Sequence, residues 1–182
     1  MNLEEKRIKS EYLYKGKIVN LRRDTVRLPN GADATREIVE HGGAAAVLPV
    51  TQAGEVIFVK QYRCPFERAL LEIPAGKLDP GEQPTHCAER ELLEETGSKA
   101  EKMTFLCEIY PSPGCYTEIL YLYAAEGLSY YEASPDEDEF LQVQRIPLED
   151  ALKMVNNGEI KDAKTITALL LYERLKSQNG EL

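Results

Sequence analysis

A helix with an acidic face restricts the fold of this chain more than any other feature of its sequence. Residues 84–96 are predicted to be helical, because a proline suits the first turn and Gly97 follows as a C-cap. Glu91 and Glu95 stand four residues apart and therefore share one face of this helix, with Glu94 one step round. If the apolar side of the helix is buried, the glutamates face a cleft.

The spacing of these glutamates favours a metal site. Like charges four residues apart destabilise a helix by roughly a few tenths of a kcal/mol. A hard divalent cation such as Mg²⁺, bound by carboxylate oxygens and a substrate phosphate, would offset that repulsion. Gly76 permits a tight turn and a close approach of the backbone, where a carbonyl could be a further ligand. The alternative to a metal site is an acidic face that is simply solvated. The role of Arg90 is also open, since it either pairs with Glu94 or orients a catalytic glutamate.

Composition and charge exclude several classes of protein. The 182 residues are 43% apolar and 29% charged, which suits one globular domain. The formal net charge of −9 disfavours non-specific binding of nucleic acid. No apolar run approaches the roughly 20 residues of a membrane span, and the charged N-terminus lacks the apolar run of a secretory signal. We therefore expect a cytoplasmic protein with neither a nucleic-acid nor a membrane partner.

The cysteines do not predict a zinc site. The chain has four cysteines and two histidines, and no CxxC pair occurs among them. Reduced thiols are the expected state in a cytosolic protein.

The order of the predicted elements indicates a mixed sheet between helices. Residues 12–41 are predicted to form a hairpin around the turn Pro29-Asn30-Gly31, and this piece is too small to stand alone. Further strands are predicted at residues 44–50, 55–62, 69–74, 103–110, 117–125 and 140–146, and helices at 84–96, 147–157 and 163–178. Because strands and helices interleave without a regular βαβ rhythm, the fold class is α/β of the α+β kind rather than a doubly wound parallel sheet. The pair Gly42-Gly43 divides an N-terminal region, 1–42, from a main domain, 43–182.

The segment from Gly76 to Gly97 also carries a family signature. Its order is glycine, five residues, glutamate, seven residues, Arg-Glu-aliphatic, one residue, Glu-Glu, one residue, glycine. This pattern resembles the signature of the Nudix hydrolases, and it departs only at Ser98, where the family has an aliphatic residue. The resemblance implies an α/β/α sandwich with a mixed sheet. It also implies an enzyme that uses water and Mg²⁺, or Mn²⁺ as a substitute, to hydrolyse a nucleoside diphosphate linked to another group.

The resemblance assigns roles to individual residues. It implies that the metal ligands are the box glutamates together with a carbonyl, and the expected set is Glu82, Glu91, Glu94, Glu95 and the carbonyl of Ala75. Arg90 and Glu94 are further candidates for a catalytic role. In related enzymes a loop glutamate activates the attacking water, and here Glu137 aligns best, with Glu139 next.

A second resemblance narrows the expected substrate. Pro113 lies sixteen residues beyond Gly97, as in the ADP-ribose pyrophosphatases of the Nudix family, and similar runs extend over about residues 14–172. The expected reaction is therefore hydrolysis of ADP-ribose to AMP and ribose 5-phosphate. Aromatic stacking on the base is expected from Tyr62 or Phe66, and a hydrogen bond to the adenine amino group from Glu72. The full set of predicted substrate-binding residues is Arg36, Tyr62, Arg63, Glu72, Pro113, Gly114 and Glu118.

The sequence leaves two alternative functions open, and the resemblance also implies an oligomeric state. The run Cys115-Tyr116-Thr117 departs from the subfamily in the loop that sets substrate choice, so another nucleoside diphosphate sugar such as GDP-mannose is an alternative substrate. A non-catalytic sensor of ADP-ribose is a second alternative, although such modules usually have a degraded box. By resemblance, the N-terminal region is expected to form a homodimer and to help build the adenine pocket of the partner.

Overall fold

The computed structural model describes residues 2–135 and 139–180, and these form two compact units. The first unit takes the N-terminal segment up to Gly43 together with Tyr110–Ile119. The second unit takes Ala44–Ile109 together with the chain from Leu120 onward. The predicted division after residue 42 did not include the return of Tyr110–Ile119 to the first unit.

The first unit is an antiparallel sheet in the order β1-β2-β3, formed by β1 (Lys6–Lys15), β2 (Asn20–Arg27) and β3 (Asp33–Glu40). Strands β2 and β3 form the predicted hairpin, whereas β1 is a strand that the sequence reading had merged with β2. A turn at residues 16–19 separates these two strands, and in it the amide of Gly16 donates to the carbonyl of Val19 at 3.0 Å. Within the same unit, the amide of Val39 donates to the carbonyl of Cys115 at 2.8 Å.

The second unit is built on a mixed sheet, as predicted. Its described elements are β4 (Ala44–Pro49), β5 (Glu55–Arg63), a 3-10 turn (Cys64–Phe66), β6 (Arg68–Glu72), β7 (Ala75–Lys77), α1 (Pro84–Thr96), β8 (Ser98–Ile109), β9 (Leu120–Tyr130), β10 (Gln142–Pro147), α2 (Leu148–Asn156) and α3 (Ala163–Asn179). One sheet has the order β7-β4-β9-β8, in which β4 pairs parallel with β9 and the other pairs are antiparallel. A smaller antiparallel sheet has the order β10-β5-β6.

Side chains of β4 alternate between two apolar cores. Ala46 and Leu48 belong to a core shared with α2 and α3, whereas Ala45 and Val47 belong to a core shared with α1. Because successive side chains of a strand point to opposite faces, the helices cover both faces of this sheet. The α/β/α arrangement of the Nudix fold is thus present in the second unit. None of the helices in the described chain is long and apolar enough to span a membrane.

Candidate active site

Helix α1 fixes the position of the box glutamates. It spans Pro84–Thr96, and Gly97 ends it with a φ of 65°, in the left-handed region that favours glycine. A Cβ at Gly97 would overlap the backbone carbonyl of Tyr131. The apolar face of α1 packs against β4 through Cys87, Ala88 and Leu92, all fully buried. The orientation of α1 about its own axis is therefore fixed by packing.

Strand β7 passes directly over the acidic face of α1. A Cβ at Gly76 would overlap the carboxylate of Glu91, so only glycine fits the present position of that carboxylate. The amide of Ala75 donates to Oε2 of Glu95 at 3.0 Å. Glu91 and Glu95 are only 7% and 2% exposed. Two carboxylates are thus held against the backbone of β7, with little access to solvent.

Arg90 organises the remaining glutamates. Its Nε donates to Glu82 at 3.0 Å, and its Nη1 donates to Glu91 at 2.7 Å and to Glu94 at 2.9 Å. Its Nη2 also reaches the carbonyl of Lys77 at 3.1 Å. The hydrogen bonds from Arg90 hold the pKa of Glu82 at about 2. Arg90 therefore pairs with Glu94, as one interpretation of the sequence expected, and it also holds the carboxylate of its neighbour Glu91.

The buried carboxylates are electrostatically stressed. Burial, reinforced by the charge of Glu91, raises the pKa of Glu95 to about 8. Burial also raises the pKa of Glu91, although Arg90 opposes the shift. The charge of Glu139 contributes to the raised pKa of both groups. Glu139, one of the two predicted bases, is thus close enough to act on this face of α1, whereas Glu137 lies outside the described residues.

The donor set fits a hard divalent cation. The buried carboxylates of Glu91 and Glu95, beside the backbone of Gly76, offer the oxygen ligands that Mg²⁺ takes. The pKa of each carboxyl is raised, which indicates that a nearby positive charge would stabilise its ionised form. Within residues 2–135 and 139–180, no three acidic, histidine or cysteine side chains are already arranged to hold a metal ion. The reason is visible in the hydrogen bonds, since Arg90 draws Glu82, Glu91 and Glu94 towards itself while Glu95 faces Ala75.

A second charged cluster lies where β6 ends. Glu72 is 2% exposed and accepts two parallel hydrogen bonds from Arg63, each 2.7 Å long, as well as one from Lys164. Lys164 also pairs with Asp162 at 3.1 Å. The hydroxyl of Thr165 donates to Asp162 and accepts from the amide of Ile73 at 2.9 Å. The cluster therefore ties the start of α3 to the chain just before Ala75.

Two members of this cluster, Arg63 and Glu72, were predicted from the sequence to bind substrate, whereas Lys164, Asp162 and Thr165 were not singled out. One signal was available. A lysine in the first turn of a helix opposes the helix dipole, which favours negative charge at that end. Lys164 is the second residue of α3, so its position called for an acidic partner.

The other predicted substrate-binding residues are less closely held. Tyr62 and Phe66 are 60% and 63% exposed. The remaining four residues lie in the first unit. There Arg36 forms an ion pair with Glu5, and Oε1 of Glu118 lies 3.4 Å from Nδ1 of His41. Pro113 and Gly114 belong to the segment Tyr110–Ile119. The structure therefore gathers the box residues, and separately pairs Arg63 with Glu72.

Comparisons with known proteins show the family and the fold of this chain. The model of the NUDIX domain matches residues 40–169, and that of the nucleoside diphosphate sugar hydrolase N-terminal domain matches residues 5–39. A Bacillus subtilis (strain 168) protein named ADP-ribose pyrophosphatase is 50% identical over 97% of this chain and 98% of its own length. A Bacillus methanolicus protein named methanol dehydrogenase activator is 47% identical over 95% of this chain and 96% of its own. A crystal structure titled as an ADP compounds hydrolase superposes with a TM-score of 0.89 at 23% identity, covering 100% of both chains, and so shares the fold.

Proposed function

The chain belongs to the Nudix hydrolase family, and on that premise we propose that it hydrolyses the pyrophosphate bond of ADP-ribose to AMP and ribose 5-phosphate. The observation that carries this proposal is the pair of buried carboxylates, Glu91 and Glu95, held against the backbone of β7 beside Gly76. The choice of ADP-ribose is supported by the relative of that name, which is 50% identical over nearly the whole of both chains.

Nudix hydrolases generally use divalent metal ions, and we propose Mg²⁺ for this chain. Its ligands would be Glu91, Glu94 and Glu95, with Glu82 and the carbonyl of Ala75. When bound, the ion would neutralise phosphate oxygens and lower the pKa of a water molecule. Arg90 would hold the glutamate side chains near the metal position, since it already donates to Glu82, Glu91 and Glu94.

Residues around the acidic face of α1 would carry out the remaining steps of the hydrolysis. The oxygen of the attacking water forms a bond to one phosphorus, the bond from that phosphorus to the bridging oxygen breaks, and the bridging oxygen leaves with the second phosphate. Glu139 would accept the proton of the water, since its charge already acts on Glu91 and Glu95. Glu137, which the sequence analysis placed first, is the other candidate for this role and lies outside the described residues. Arg63 would donate to a phosphate or to the terminal ribose.

The direct test is release of AMP from ADP-ribose by the purified chain with Mg²⁺. Glu95→Gln should abolish the reaction, because it removes one buried ligand charge while keeping the shape of the side chain. The matched control is Glu89→Gln, which removes an exposed carboxylate from the same helix and should leave the rate unchanged. If Glu95→Gln retained full activity, the acidic face of α1 would not be the catalytic site.

Another nucleoside diphosphate sugar is the second candidate substrate. The match of residues 5–39 to the nucleoside diphosphate sugar hydrolase N-terminal domain supports that wider class. A panel that includes GDP-mannose separates the two, since cleavage of GDP-mannose with ADP-ribose left intact would keep the reaction and replace the substrate. Binding of ADP-ribose without cleavage of any compound in the panel would instead identify a sensor.

A further inference from the structure

We propose that Glu72 is a positioning residue that holds the guanidinium group of Arg63 in place, and that it does not read the base of the substrate. The inference deepens the proposed function and rests on it. It departs from the sequence-based expectation that Glu72 accepts a hydrogen bond from the adenine amino group.

The first argument is the burial and saturation of the Glu72 carboxylate. Its side chain is only 3% exposed. Both oxygens are occupied, because Oε1 accepts from Nε of Arg63, and Oε2 accepts from Nη2 of Arg63 and from Nζ of Lys164. A carboxylate has roughly four acceptor positions, and three are taken by cations of the chain itself. An adenine amino group would have to reach a buried oxygen and displace one of them.

The second argument is the balance of charge around Glu72. Burial raises the pKa of Glu72, but the hydrogen bonds from Arg63 and the charge of Lys164 outweigh it, so the net pKa is lowered and the group stays ionised. Lys164, with its side chain 11% exposed, divides its charge between Glu72 and Asp162. Two acids and two cations therefore form a neutral cluster.

The third argument is the geometry that the cluster imposes on Arg63. Nε and Nη2 are both committed to Glu72, so the plane of the guanidinium is fixed by two parallel hydrogen bonds. In the described part of the chain, Nη1 has no such commitment, and the Arg63 side chain is 38% exposed. The hydrogen bonds from Glu72 raise the pKa of Arg63, and the charge of Glu95 contributes as well, so Arg63 lies within electrostatic reach of Glu95 on α1. Arg63 thus keeps a fixed donor group that is partly exposed and close in electrostatic terms to the proposed metal ligands.

The proposal is tested by comparing two bases in the Glu72→Gln variant. ADP-ribose and its hypoxanthine analogue, IDP-ribose, differ at the exocyclic amino group that a base-reading Glu72 would recognise. If Glu72 acts through Arg63, Glu72→Gln should raise KM for both substrates by the same factor, of about 10 to 100, with a smaller change in kcat. A loss confined to ADP-ribose would overturn the proposal. The control is Lys161→Met, which removes an exposed cation from the connection between α2 and α3 and should leave KM unchanged.

A double-mutant cycle with Arg63 gives an independent answer. Once Arg63→Ala has removed the guanidinium, a further Glu72→Gln substitution should change KM by less than about threefold, because residues acting in series are not additive. Fully additive effects would show that Glu72 contacts the substrate itself. If Glu72→Gln does not fold, Glu72→Asp replaces it: this variant keeps the charge but shortens the side chain, so it should displace Arg63 and raise KM for both bases equally, whereas a loss confined to ADP-ribose would again overturn the proposal.

A spectroscopic measurement separates failure of the proposal from failure of the proposed function. The Nε–H proton of Arg63, hydrogen-bonded to Glu72, should exchange slowly with solvent and give a resolved signal in the nitrogen-15 spectrum of the wild-type protein. That signal should be lost in Glu72→Ala, which removes every acceptor, and retained in Lys161→Met, whether or not ADP-ribose is the substrate. A signal that survives Glu72→Ala would overturn the positioning role, whereas a wild-type protein that keeps this signal but cleaves no nucleotide would overturn only the function.

Discussion

At the scale of single residues, Gly76 carries more functional information than any of the glutamates it faces. A glutamate on a helix has many possible roles, but the position of Gly76 has one requirement, which is the absence of a Cβ beside the Glu91 carboxylate. The requirement for glycine at position 76 therefore indicates that the Glu91 carboxylate must lie against the backbone of β7.

Gly76→Ala is expected to impair activity far more than stability. The methyl group would overlap the end of a flexible side chain, so Glu91 can move aside and the fold can persist, but Glu91 then leaves the position of a ligand. We expect kcat/KM to fall by about a hundredfold, with a change of about 1 kcal/mol or less in the free energy of unfolding. Gly42→Ala is the matched control, since a Cβ there meets nothing within 4 Å. Equal activity of the two variants would contradict the close approach of β7 to Glu91.

Glu95→Gln is expected to stabilise the metal-free protein while it removes the response to Mg²⁺. Because the pKa of Glu95 is about 8, folding at neutral pH without a cation must protonate a carboxyl that is ionised in the unfolded chain, and this costs stability. A glutamine is neutral in both states and could still accept the hydrogen bond from Ala75. Thermal unfolding with EDTA should give a higher Tm for the variant than for the wild type. Added Mg²⁺ should raise the Tm of the wild type only. A lower Tm of the metal-free variant would show that Glu95 is not under charge stress.

Cys87 is expected to resist alkylation while the exposed thiols react. Burial raises the pKa of Cys87 to about 12, whereas Cys64 and Cys115 are exposed. At pH 8.5, iodoacetamide should label Cys64 and Cys115 in the folded protein, and Cys87 only after unfolding, as read by peptide mass spectrometry. The unfolded chain releases the Cys87 proton near pH 9 and the folded chain near 12, so this group lowers the free energy of unfolding as pH rises between those values. Prompt labelling of Cys87 in the native protein would be the contrary result.

At the scale of elements, the C-terminal end of α1 is more tightly confined than that of α2. Gly97 has both a positive φ and a backbone neighbour in the space of a Cβ, whereas Gly158 has a positive φ of 79° and open space. Alanine at Gly158 should lower the free energy of unfolding by about 1 kcal/mol. Alanine at Gly97 should cost about 2 to 4 kcal/mol, because the overlap with Tyr131 adds to the backbone strain. Denaturant titration of the two variants measures the difference, and equal losses would mean that the chain after β9 yields freely.

The ends of α1 were also what the sequence predicted best. Proline at the start and glycine after the end are local signals, and the predicted bounds of 84–96 coincide with the helix. Strand β7 was missed because its residues pair with β4 only through the tertiary fold, and its sequence Ala75-Gly76-Lys77 has the composition of a turn. Strand β1 was missed because Gly16 gives a weaker turn signal than the Pro29-Asn30-Gly31 run after β2.

The same contrast applies to the candidate site. The spacing of Glu91, Glu94 and Glu95 along one helix is visible in the sequence, because it depends on a local period. The cluster around Glu72 is not, since Lys164 is 92 positions away and is brought to Glu72 by the packing of α3. Contacts of this range leave no periodic pattern in a single sequence.

At the scale of the whole molecule, we propose that strand β1 of the first unit contacts a second copy of the chain. Strand β1 is an edge strand, and its apolar side chains are largely exposed: Ile8 51%, Tyr12 50%, Leu13 45% and Tyr14 60%. Exposed apolar edges of this kind are usually covered. We expect a dimer of about twice 20.5 kDa by light scattering, and a monomer for the double variant Ile8→Glu, Leu13→Glu. A monomeric wild type at micromolar concentration would contradict this expectation.

The alternation along β4 also limits how the length of this chain can vary. Its side chains enter two cores in strict turn, Ala44, Ala46 and Leu48 on one side and Ala45 and Val47 on the other. Deleting one residue here would exchange the two sets, placing leucine where α1 needs alanine or valine. Substitutions of similar size are therefore tolerable within β4, whereas insertions and deletions are not. In natural relatives of this chain, differences in length should fall in connections such as residues 51–54, and the strand itself should keep its count of residues.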